Sequence, residues 1–227
     1  GDWSSDVCSS DLAARKIARL GLKAIKVSGK ADVLSLLEVT ADGGRLMPAP
    51  ELAGLTSSQT VQALRERYGD RVGIVCIGPA GELGCRASAV VVTTQDFRLR
   101  TAARGGLGAV MGSKNLKAIV LDDKGGPGVA VADPAALKAA SKAFTDGVLG
   151  YPVTGGLTAL GTAVLVSVSN MMGSLPTRNF SAGQCAHVDK ISGEHILDLM
   201  NARPNSSTKH NCMPGCIVSC SQVYTDE

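Results

Sequence analysis

Aromatic side chains are scarce: Phe, Tyr and Trp make up 3% of the 227 residues, with a single Trp. Ring packing therefore cannot dominate the core, and 27 glycines shift the weight to backbone conformation and close approach. A surplus of charge is missing too. The formal net charge of +3 is too small to argue for a nucleic-acid or membrane-surface partner. Seven cysteines over this length are too few for a disulfide scaffold, so their clustering points elsewhere. There is no internal repeat and no low-complexity tract. What is present, 44% hydrophobic and 19% charged residues, excludes a disordered chain. The length suits one large domain or two small ones, burying roughly 70% of the unfolded surface.

The chain opens on Gly1 rather than Met and ends on Thr225, Asp226 and Glu227, straight after a cysteine cluster. Residues 1–12, GDWSSDVCSSDL, have no helical or strand period and resemble translated sequencing-adapter sequence. They are set aside as non-native, and Cys8 receives no role. No signal peptide is visible, but without a native N-terminus that absence carries no information. The expected location is the cytoplasm. Residues 147–177 carry no charge over a length that could span a bilayer. Pro152, Gly155, Gly156, Gly161, Asn170 and Gly173 interrupt them, which favours a buried helix over a membrane span.

Residues 13–20 read as the end of a helix stopped at Gly21. The alternation in 23–28 (KAIKVS) predicts a strand, followed by a second at 33–39 and a turn at Asp42-Gly43-Gly44. Residues 56–68 predict a helix capped by Ser57 or Ser58 and ended by Gly69. Apolar, β-branched runs at 72–77, 87–93 and 118–121 predict strands. The best linker is 123–132, with three Gly and one Pro. Beyond it, Asp133-Pro134 predicts a helix start running to about Phe144, and helices follow at 157–172 and 193–201. Strands followed by helices mean an α+β fold or two domains.

Two segments carry chemistry. RTAARGGLGAVMGSKNLK, residues 100–117, places Arg100, Arg104, Lys114 and Lys117, with Arg98 nearby, around Gly105, Gly106, Gly108 and Gly112. Glycines let backbone N–H groups approach an anion and the cations neutralise it, so phosphate is the expected ligand type. Walker A fails because Ser113 separates Gly112 from Lys114, and the dinucleotide fingerprint fails at Met111. The plainer alternative is a tight turn packed under a sheet.

The second segment, NCMPGCIVSCSQ, holds Cys212, Cys216 and Cys220 at two x3 spacings. Pro214 and Gly215 break a continuous helix, so the segment is expected to wrap around a ligand. Three thiolates in nine residues suit an iron–sulfur cluster with a fourth ligand from elsewhere. A zinc site using His210 and a metal-free segment are the alternatives at this level. Cys76 reads as a small core residue, Cys85 and Cys185 are isolated, and His195 reads as a surface or packing residue. Glu82 and Asp96 stand out in no way from ordinary turn residues.

Together these stretches resemble the aldehyde ferredoxin oxidoreductase family of tungsten- and molybdenum-pterin enzymes. The residues that carry the resemblance are IGPAGE at 77–82, ARGGLGAVMGSKNLKAIVL at 103–121, GTAVLV at 161–166, PTRNF at 176–180 and the terminal cysteines. Their order and spacing agree from residue 13 onward. The resemblance implies the later part of a β-rich, pterin-binding saddle domain at 13–130. It also implies the start of a mainly helical domain carrying the Fe–S cysteines at 131–227. It implies that Arg100, Ala103 and Arg104 face the phosphates of a bis-pterin cofactor, and that the Thr101 carbonyl approaches the bridging Mg²⁺. Cys212, Cys216 and Cys220 would hold a [4Fe–4S] cluster, with the fourth cysteine beyond Glu227. Ala103 stands where the family commonly has Gly, Thr101 where it has Ala, and the first cysteine gap is one residue longer than usual.

The implied activity is oxidation of an aldehyde to a carboxylate at tungsten or molybdenum, with electrons leaving through the cluster to ferredoxin or a partner subunit. The rival is a non-catalytic iron–sulfur electron-transfer or metal-binding module, which would have no use for the anion site at 100–114.

Overall fold

The structure, a computed structural model, describes residues 12–213 and 215–224. Residues 1–11, Cys8 among them, and Pro214 lie outside the described residues. The chain divides into two compact units, one up to Ala130 and one from Val131. The fold is α+β.

In the first unit the order is α1 (Leu12–Arg19), β1 (Ser35–Thr40), β2 (Gly43–Pro48), α2 (Ser57–Tyr68), β3 (Gly73–Cys76), α3 (Pro79–Glu82), β4 (Val90–Thr93), β5 (Leu99–Ala102), α4 (Leu107–Ser113) and β6 (Leu116–Leu121). The strands form one mixed sheet, β2-β1-β6-β3-β4-β5. Only β1 and β6 run parallel; the other neighbours are antiparallel.

Side chains alternate across the sheet and build two cores. Leu36, Ile74, Cys76, Val91, Ala118 and Val120 face Val61 and Leu64 of α2. Val39, Val90, Val92, Ala102 and Leu121 lie on the other face with Ala13 and Leu20. The sheet is thus a central layer with a helix on each side. Burial pushes the Cys76 thiol up to about 12, so it stays protonated and packs as the small core residue expected.

Local chemistry sets the α2 boundary. Thr56, not Ser57 or Ser58, is the N-cap: its hydroxyl accepts from Gln59 N at 3.3 Å, while Gln59 Oε1 accepts from Thr56 N at 2.9 Å. The reciprocal pair satisfies two helix donors, which neither serine can do here. Gly69 then leaves the helix at φ +79°.

Several strand expectations are corrected. Residues 23–28 form no strand despite their alternation; most are exposed, and among the described residues no strand pairs with them. The first strand begins at Ser35, and the expected turn at Asp42 is followed by edge strand β2. β5, hidden in a charged stretch, is the opposite edge. The linker expected from residue 123 begins later. Asp123 accepts from Lys16 Nζ and Arg19 Nε, and Gly128 N donates to Arg19 O at 2.9 Å.

In the second unit, α5 (Pro134–Gly150) has Asp133 as its N-cap, accepting from Ala136 N at 2.9 Å, and runs past Phe144. The helix expected at 157–172 is two, α6 (Pro152–Leu160) and α7 (Val164–Met171), separated by a 3₁₀ turn at Gly161–Ala163. Gly161 adopts φ +65°, and a β-carbon there would meet Gln222 Cγ at 2.8 Å, so glycine and the break are required together. Nor is this run buried: 11% of it is covered, with Met171 76% exposed. By length and composition alone Pro152–Met171 could cross a membrane. Helix α8 (Gly193–Asn201), capped by Ser192, and the antiparallel pair β7 (Ser207–His210) and β8 (Ser221–Val223) complete the unit.

Candidate cofactor-binding site

Edge strand β5 and the turn after it carry the four residues expected at a phosphate site. Arg100 and Thr101 lie opposite Val92 and Val91 of β4. Ala102, 2% exposed, anchors the strand in the core, so its neighbours Thr101 and Ala103 stay at the surface. Arg100 is half-buried and Arg104 is exposed. Arg104 makes no ion pair among the described residues and starts a 3₁₀ turn, Arg104–Gly106, in which Gly105 takes φ +82°. A β-carbon on Gly105 would meet nothing within 4 Å, which leaves its backbone open to a ligand.

The other glycines do a different job from the one expected. A β-carbon on Gly106 would overlap the carbonyl oxygen of Arg86, one on Gly108 would lie 2.6 Å from Ala89 O, and one on Gly112 would overlap Gly81 O. These three are packing glycines, as the tight-turn alternative required; only Gly105 remains for anion approach.

The cations also sort themselves. Arg98 pairs with Asp96 at 2.8 Å, and Lys114 Nζ donates to Gly29 O at 3.2 Å. Lys117 is 0% exposed and pairs with Glu82. It belongs to the core, not to an anion site. Its partner Glu82, indistinguishable in the sequence from an ordinary turn residue, also accepts from Gly54 N at 2.9 Å. The available signal was a single lysine inside LKAIVL, an otherwise apolar strand, because a buried ammonium needs a buried partner.

Arg104 beside an open glycine, with half-buried Arg100 on the adjoining sheet edge, fits a phosphate-bearing group. Guanidinium forks suit phosphate oxygens, and an edge strand presents backbone groups that no neighbouring strand pairs. An Mg²⁺ shared with phosphates would find oxygen donors in the exposed Thr101 region.

The cysteines lie in a looped connection between β7 and β8 rather than on a helix. All three are half-buried free thiols. Cys216 Sγ accepts from Ser219 N at 3.4 Å, and the Cys220 carbonyl accepts from Thr162 N at 3.1 Å. Among the described residues no three His, Cys, Asp or Glu side chains are gathered to hold a metal ion, His210 included. The donor set still fits an iron–sulfur group: soft sulfur ligands, with an N–H directed at one of them.

Residues 4–123 match the model of the aldehyde ferredoxin oxidoreductase N-terminal domain, and residues 139–227 match the model of that family's domains 2 and 3. The chain belongs to the aldehyde ferredoxin oxidoreductase family. Similar relatives include the tungsten-containing aldehyde ferredoxin oxidoreductase of Pyrococcus abyssi, 42% identical over 176 residues, which are 77% of this chain and 28% of that one. The Pyrococcus furiosus enzyme of the same name is 36% identical over 198 residues, 86% of this chain and 31% of that one. The chain thus spans less than a third of the length of those relatives. Among solved structures, the active-site complex BamBC of benzoyl coenzyme A reductase with 1,5-dienoyl-CoA aligns at a TM-score of 0.63. It is 23% identical, covers 86% of this chain and 31% of that one, and bears on the fold alone.

Proposed function

We propose that this chain supplies the phosphate-binding edge and the cluster-binding loop of a tungsten- or molybdenum-bis-pterin oxidoreductase that oxidises an aldehyde to a carboxylate. Tungsten is favoured by the names of the relatives. The observation that carries the reading is the β5 edge and its turn: Arg104, with no ion pair among the described residues, and open Gly105 sit inside the segment that matches the family's N-terminal domain.

In this reading Arg100 and Arg104 neutralise the pterin phosphates, Ala103 keeps the turn free of a long side chain, and the Thr101 carbonyl is an oxygen donor to Mg²⁺. Cys212, Cys216 and Cys220 hold a [4Fe–4S] cluster. A bound metal–pterin supplies two-electron substrate chemistry, and the cluster supplies single-electron exchange with ferredoxin or a partner subunit. The Ser219 N–H on Cys216 stabilises negative charge on that sulfur. A cytoplasmic location, with the exposed faces of α6 and α7 covered by other parts of the full-length protein rather than by lipid, completes the proposal.

The test is Arg104→Glu in the full-length enzyme that contains this sequence. Expected is loss of at least nine-tenths of the bound pterin and of tungsten or molybdenum, with about four irons per chain retained. Iron lost while pterin stays, or zinc as the sole metal, would contradict the assignment.

A further inference from the structure

The ion pair Glu82–Lys117 joins the end of α3 to β6. Lys117 Nζ, fully buried in β6, donates to Glu82 Oε1 and to Leu55 O at 2.7 Å. Glu82 Oε2 accepts from Gly54 N at 2.9 Å. One carboxylate therefore ties the end of α3 to the central strand and to the loop before α2. A buried ion pair is a poor way to gain stability, because desolvation offsets much of its attraction and an apolar pair of similar volume does as well. Its distinctive contribution is registry.

The registry reaches the turn through contacts that have no slack. Glu82 closes the single turn of α3, whose Gly81 meets α4 backbone to backbone. A β-carbon on Gly81 would lie 3.0 Å from Gly108 O, and one on Gly112 would overlap Gly81 O. Helix α4 begins directly after the Arg104–Gly106 turn, and Gly106 itself rests on the Arg86 carbonyl, just past α3. No side chain at these contacts can rotate to absorb a shift, so a displacement of α3 is passed to Arg104.

We infer that Glu82 and Lys117 are positioning residues for the phosphate-binding turn, setting how firmly the cofactor is held without touching it. This rests on the function proposed above. Outer partners that orient ligands elsewhere alter affinity by about 10–100-fold.

The experiment compares the full-length holoenzyme with Glu82→Gln/Lys117→Met, which removes both charges together and leaves no uncompensated buried ion. Pterin release is followed by dialysis, and backbone hydrogen exchange is measured over residues 104–113. Expected are an unchanged iron content, a thermal midpoint close to wild type, pterin release at least tenfold faster and faster exchange confined to 104–113. Glu82→Asp, one methylene too short to reach Lys117 and Gly54 together, should fall between the two. Should the double variant release pterin and exchange amides at wild-type rates, the inference is overturned. If the double variant does not fold, Glu82→Asp decides by the same two readouts. A wild-type enzyme without pterin would sink the proposed function, while the exchange measurement would still decide the role of the pair.

Discussion

A methyl group at position 112 would be driven into the carbonyl oxygen of Gly81, whereas one at position 105 would meet only open space. Gly112→Ala is therefore expected to destabilise the first unit by about 1–3 kcal/mol through overpacking of a backbone contact. Gly105→Ala strains only its own left-handed backbone, by about 1–2 kcal/mol. Urea unfolding curves of the two variants should separate in that order. Equal losses would mean that α4 can slide off α3, and the tight contact would lose its significance. The glycine positions themselves were legible in the sequence, but not their division of labour. Whether a glycine faces a ligand or another backbone depends on which chain passes beside it. Gly112 and Gly81 are thirty-odd positions apart, brought together only by the fold. Lys117 and Glu82 met the same obstacle.

Elements were legible where their determinants are local. Helices α2, α5 and α8 carry their caps within three residues of their starts, so each could be placed from the sequence to within a turn or two. Edge strands were not. β2 opens with two glycines and β5 is only the four residues LRTA, with a single β-branched side chain, and both are strands because a neighbour pairs with them. Residues 23–28 show the converse, a good alternation with no partner. Helix α1 is held to the end of β6 by Asp123. Burial alone would raise this carboxyl, yet hydrogen bonds from Lys16 and Arg19, together with their charges, hold it below its usual value. A folded value below the unfolded one, about 3.9, means that stability from this link is complete at neutral pH and is lost as pH falls through the folded value. Asp123→Asn should thus lower the urea midpoint at pH 7, and its difference from wild type should shrink below about pH 4. A difference that stays constant down to pH 2 would assign the effect to something other than this carboxylate.

At the scale of the molecule, the two units expose apolar surface very unequally. In the second, Phe144, Leu149, Tyr151, Met171 and Met172 are each 60% exposed or more. Surface of this kind on an isolated chain promotes association. Purified alone, the 227-residue chain is expected to self-associate, its sedimentation mass rising with concentration. A monomer that unfolds cooperatively at every concentration would show that these side chains do not form a sticky patch. The family resemblance was the most legible property of all, because ARGGLGAVMGSKNLKA and the three cysteines are read without knowing which strands pair.

The break at Gly161 does more than divide a helix. The elbow it creates is laced to the cysteine loop by Thr162 N to Cys220 O at 3.1 Å, Thr158 Oγ1 to Val218 O at 3.0 Å and Gln222 Nε2 to Leu160 O at 3.2 Å. Loop and elbow therefore share one free energy. When cysteines capture a metal group, the binding free energy becomes folding free energy of whatever the ligands are tied to. In the proposed enzyme, loading iron and sulfur would anneal α6 against α7, making cofactor delivery a late step of maturation rather than an accessory added to a finished protein.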